Sequence, residues 1–124
     1  MTFEEDYYHQ RVQILVDTLV ERTRNALLHN QKMWDQPENG VYEYSLTKTS
    51  IRIYSQSTSG GKPYILEVYN EFGDLVDRVS EDVWGGPVNL EELYTLVSQG
   101  EKQKAKDAAL TEIFHELDIP EPPF

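Results

Sequence analysis

Three histidines are the first residues to examine for chemistry: His9, His29 and His115. Glu5 stands four residues before His9, and Glu112 three before His115, spacings that put carboxylate and imidazole on one side of a helix. A Glu-x-x-His element is half of a di-iron carboxylate site, which needs a second such element and two more inward carboxylates on a four-helix core. This chain has one, so surface Glu–His pairs are expected and no metal ligand is assigned. The chain has no cysteine, which removes thiolate nucleophiles, disulfides and thiolate-held zinc. Serine is plentiful, yet the nucleophile-elbow pattern G-x-S-x-G is missing, as are the two glycine-rich phosphate loops and the calcium-loop spacing. Ser59-Gly60-Gly61-Lys62 joins two strand-like segments rather than opening a helix, so its amides gain no helix dipole. No catalytic residue and no cofactor are expected.

Binding chemistry is better represented. Eight tyrosines are spread along the chain, several within segments of two-residue periodicity. Alternation predicts Tyr54, Ile65 and Tyr69 on the outer face of a sheet, among Arg52, Glu43 and Glu67. An aromatic centre with a charged rim has the composition of a protein-binding surface, although cross-strand aromatic pairs also stabilise sheets that bind nothing. Trp34 and Trp84 each lie close to glycine and proline. With Tyr42 they would line a pocket between sheet and helices, or plug the ends of the core.

The elements that would carry these residues follow from the periodicity. Residues 4–31 repeat apolar side chains at three- and four-residue steps, from Tyr8 and Val12 to Ala26 and Leu27, which predicts a helix. Thr2 and Glu5 have the spacing of a capping box. Asp35-Gln36-Pro37-Glu38-Asn39-Gly40 reads as a turn. Four strands follow: residues 41–46, with Leu46 turned inward, then 51–54, 64–69 and 75–79. Ser55 to Lys62 reads as a flexible loop. Asn89, with Glu92 three residues on, caps a helix that Gly100 is expected to break or kink, giving one or two helices up to Leu117. The expected fold class is α+β: an N-terminal helix, a four-stranded antiparallel meander, and one or two C-terminal helices packed on one face of the sheet. Residues 1–118 form one domain, and 119–124 a short Pro-rich tail.

Charge narrows the partners. The formal charge is −11, and the stretch from Glu67 to Glu92 holds eight carboxylates against one arginine. Such a field repels nucleic-acid phosphates and anionic lipids and draws a basic protein, while also serving solubility alone. Direct nucleic-acid or membrane binding is therefore not expected. The N-terminus has acids where a secretory signal has bases, and no run approaches the length of a membrane helix, so a cytoplasmic location is the expectation.

These readings converge on a non-enzymatic acidic protein-binding module: an inhibitor, immunity-like or chaperone-like partner of a more basic protein, or a nucleic-acid mimic. Its contact residues would be Tyr54, Ile65, Tyr69 and Arg52 with Glu71, Asp74, Asp77, Glu81 and Asp82. The alternatives are a small-molecule-binding or hydrolytic domain using the Trp34, Tyr42 and Trp84 pocket, and a homodimer paired through the tyrosine face.

Overall fold

The computed structural model describes residues 3–120, with side chains 3–5, 101, 103 and 104 left out of account. Helix α1 (Phe3–Leu28) leads into strands β1 (Asp35–Glu38), β2 (Val41–Ser45), β3 (Ser50–Ser55), β4 (Tyr64–Tyr69) and β5 (Leu75–Glu81), and helix α2 (Glu91–Glu116) follows. The strands pair antiparallel in sequence order as one five-stranded meander, so the fold is α+β.

Five strands rather than four is the first correction. Asp35–Glu38 pairs with β2 despite Pro37 and its two carboxylates, because it is an edge strand. At an edge, proline's missing N–H need not break a ladder bond, and carboxylates stay in water. Gly40 closes the hairpin at φ 81, a conformation glycine reaches without strain.

The second correction concerns α2, which runs unbroken through Gly100. Glycine inside a helix costs about 1 kcal/mol relative to alanine, and here a close approach offsets it. A Cβ on Gly100 would lie 2.8 Å from Leu27 Cδ2 at the end of α1. Contacts from Gln13 to Asn89, Arg24 to Glu92 and Leu27 to Gly100 show the two helices running in the same direction.

The helices cover one face of the sheet. Val12, Val16, Leu19 and Val20 of α1 and Leu90, Leu93 and Val97 near the start of α2 bury themselves against Tyr42, Ile51, Ile53, Leu66 and Val79. Full burial of one such aliphatic side chain is worth about 1.5–3 kcal/mol. Tyr94 extends this layer, stacking on Tyr64 with centroids 4.6 Å apart and meeting Tyr42 edge-on. Leu46 lies beyond the end of β2 and is exposed, against the expectation that it turns inward. The serine-rich loop is held by its own bonds: Ser57 N–H and Ser59 N–H donate to the hydroxyls of Ser55 and Ser57 at 3.1 and 3.2 Å. The Thr2–Glu5 capping box and residues 121–124 of the tail lie outside the described residues.

Candidate interaction surface

The strand register decides which side chains share the outer face. Glu43, Arg52, Glu67 and Arg78 are consecutive cross-strand partners, so charge alternates in sign across β2, β3, β4 and β5. Arg52 Nε donates to Glu43 at 2.6 Å, and Arg78 Nε lies 3.6 Å from Glu67. Tyr54 and Tyr69 both donate to the Glu67 carboxylate, at 3.1 and 2.7 Å, while an Arg78 N–H donates to Tyr54 Oη at 2.9 Å. The Arg52 guanidinium sits over the Tyr69 ring, 5.2 Å from its centroid. Each phenol is held above its ordinary pKa, Tyr54 by burial and then by Glu67, Tyr69 by Glu67 and then by burial.

Arg52, Tyr54, Ile65 and Tyr69 thus share one face, but they do not form an open apolar patch. The tyrosine hydroxyls are bonded within the network, and Ile65 is only 3% exposed, packed beside cross-strand Tyr54 and Ser80 outside the main core cluster. Alternation locates a side chain on a face without reporting how tightly its neighbours close over it.

The acidic candidates divide in the same way. Glu71 and Asp74 are exposed at the β4–β5 turn, and Asp82 is exposed just past β5. Asp77 points to the helix side, where Tyr8 of α1 donates to its carboxylate. Glu81 is only 7% exposed. Its Oε1 accepts the N–H groups of Leu90 and Glu91 at 2.9 and 3.1 Å, and Lys62 Nζ lies 3.6 Å from its Oε2. The expected Asn89 cap is therefore shared: Asn89 Oδ1 accepts the Glu91 N–H at 3.3 Å, while the carboxylate facing the positive end of α2 comes from β5. A signal for this was present in the sequence, since Glu81 has the parity of core residue Val79.

The expected pocket does not assemble. Trp34 is buried, with its Nε1–H donating to Thr23 at 3.0 Å, and Tyr42 is buried in the core, whereas Trp84 is 93% exposed. The space beside Trp34, bounded by Ala26, Leu27, Leu96 and Val97, is about 20 Å³. That is room for about one water.

Apolar exposure collects instead around β5, the edge strand opposite β1. Phe72, Leu75 and Val76 are exposed at one end of it, and Val83 and Trp84 at the other. Glu71, Asp74 and Asp82 stand among them. The tryptophan is displayed by a built turn, in which Asp82 Oδ1 accepts the Trp84 N–H at 2.9 Å and Asp82 bridges to Gly85, at φ 104.

Among the described residues, no group of three or more His, Asp or Glu could hold a metal ion, and no helix is long and apolar enough to cross a membrane. Comparison with protein-family models, with curated proteins and with solved structures finds no match to this chain.

Proposed function

We propose that the protein is a non-enzymatic binding module whose contact surface is the β5 edge with its two flanking turns. Its partner is then an extended, basic segment of another protein. The supporting observation is the pairing of exposed Phe72, Leu75, Val76, Val83 and Trp84 with the carboxylates of Glu71, Asp74 and Asp82 along a strand bonded on one side only. An edge strand offers main-chain groups to an added strand, and alternate side chains of that strand would fill the sites beside it. The apolar groups at the two ends of β5 lie about 23 Å apart, from a rise of about 3.3 Å per residue, which an extended segment of about seven residues spans. Carboxylates at both ends favour lysine and arginine in that segment and raise its association rate.

The test is a set of extended peptides alternating apolar residues with lysine or arginine, read by the emission shift of exposed Trp84 and by amide shifts in β5. Basic peptides should bind more weakly as salt rises, and Trp84→Ala or Phe72→Ala should weaken binding at least about tenfold. Glutamate-substituted peptides of equal apolar content should not bind. Binding that ignores both salt and the Trp84→Ala change, or an absence of binding across the set, overturns the reading.

A further inference from the structure

The distal half of α2 has no neighbour in its own chain that accounts for it. The helix is 26 residues long, but α1 ends where Leu27 meets Gly100. Beyond Gly100 none of the described side chains is buried, and Phe114 alone is half-buried. Leu110, Ile113 and Leu117 nevertheless recur at three- and four-residue steps and are exposed, Leu117 by 65%. A helix with such a stripe gains by covering it.

The charges along this arm indicate what covers it. Lys102 and Lys106 precede Ala109 by seven and three residues, and Glu116 and Glu112 follow it by the same intervals. Lys102, Ala109 and Glu116, at steps of seven, flank the apolar stripe on one side. Residues 102–116 hold three lysines and three carboxylates, so the arm is neutral in a chain of formal charge −11. Two copies can therefore meet here without the repulsion their other surfaces carry.

We propose that this arm pairs antiparallel with the same segment of a second copy of the chain, about a two-fold axis beside Ala109. In that register each of Lys102 and Lys106 lies alongside Glu116 or Glu112 of the second copy, Asp107 falls beside Thr111, and Leu110 and Ile113 meet in neighbouring layers. Parallel pairing would set lysine against lysine and glutamate against glutamate. A two-fold contact uses the same patch on both chains, which a segment of mirrored charge satisfies by itself. The β5 surface takes no part, so the two proposals stand or fall separately.

Sedimentation across a concentration series should show the mass rising from 14.4 kDa toward twice that value. Ile113→Asp should leave a monomer with the helical circular dichroism of the remaining fold. Lys102→Glu/Lys106→Glu and Glu112→Lys/Glu116→Lys should each dimerise at least about tenfold more weakly alone, and an equimolar mixture should restore the dimer. Because the chain has no cysteine, added thiols can be cross-linked singly. A short bis-maleimide should join Ala109→Cys chains, whose helix axes lie about 8–10 Å apart. It should leave Lys102→Cys chains unlinked, since those positions are about 21 Å apart along the axis at 1.5 Å per residue. A wild-type chain that stays monomeric at every concentration, a dimer indifferent to Ile113→Asp, or equal linking at the two positions overturns the proposal.

Discussion

Glu81 shows how one residue can be misread from sequence and still be decisive for the fold. In a run of carboxylates it reads as part of an acidic surface. In the structure it is buried, takes two backbone N–H groups from the start of α2, and faces Lys62. Those amides begin a helix and have no intrahelical acceptor, so their partner must come from elsewhere. Hydrogen bonds to a charged acceptor contribute about 1.5–3 kcal/mol, and removing the acceptor leaves buried donors unpaired. Glu81→Ala should therefore lower unfolding free energy by about 2–4 kcal/mol. Glu81→Gln keeps an acceptor oxygen and gives up only the charge, so it should cost about half as much or less. Urea titration of the three proteins checks this ordering, and equal losses for Ala and Gln would mean that the capping bonds do not matter. Glu71, Asp74 and Asp82, by contrast, are the surface carboxylates that the sequence suggested. Parity with Val79 separates the two kinds, a cue that charge counting hides.

At the scale of elements, periodicity made α1 and strands β2 to β5 legible, because each buries one regular face and water enforces the pattern. Strand β1 was illegible for the opposite reason: all four of its residues are exposed, so burial imposes no pattern on it. Its pairing comes from the hairpin geometry at Gly40 rather than from strand propensity. The continuity of α2 was hidden because the compensation for Gly100 lies on another helix, at Leu27, and such contacts cannot be seen along the chain. The glycines themselves give a contrast that can be measured. A methyl group on Gly100 meets the tip of Leu27, a side chain 40% exposed that can rotate away, and alanine also raises helix propensity by about 1 kcal/mol. A methyl group on Gly86 would meet the Ser80 carbonyl oxygen at 2.5 Å and Glu81 Cα at 3.0 Å, both main chain. Gly100→Ala should thus change stability by less than about 1 kcal/mol. Gly86→Ala should cost about 1–3 kcal/mol, because main chain must move in the segment that holds the Glu81 cap. Thermal unfolding of both variants tests this, and a reversed order would mean that the α1–α2 contact is the more rigid of the two.

Across the whole molecule, tyrosine ties the layers together and sets an alkaline limit on stability. Tyr8 joins α1 to β5 through Asp77, and its pKa is pushed up to about 12 by burial and then by that hydrogen bond. Tyr64 and Tyr94, stacked between sheet and α2, are raised chiefly by burial; Tyr54 and Tyr69 are raised within the Glu67 network on the outer face. The sign is the same for all five: the neutral phenol is favoured in the folded state relative to the unfolded chain. Their contribution is complete below the ordinary tyrosine value of 10.0 and is lost as pH rises through the raised values, for Tyr8 about 12. Each tyrosinate also adds negative charge to a molecule already at −11, so self-repulsion pushes in the same direction. Denaturant midpoints should therefore stay level up to about pH 10 and fall steadily beyond it, with tyrosinate absorbance appearing later in the folded protein than in the unfolded chain. Tyr8→Phe should start from a lower midpoint, because the bond to Asp77 is gone, and should then fall less steeply. A midpoint level through pH 12, or tyrosinate absorbance appearing at the same pH folded and unfolded, would show that these phenols are not held as their hydrogen bonds and burial require.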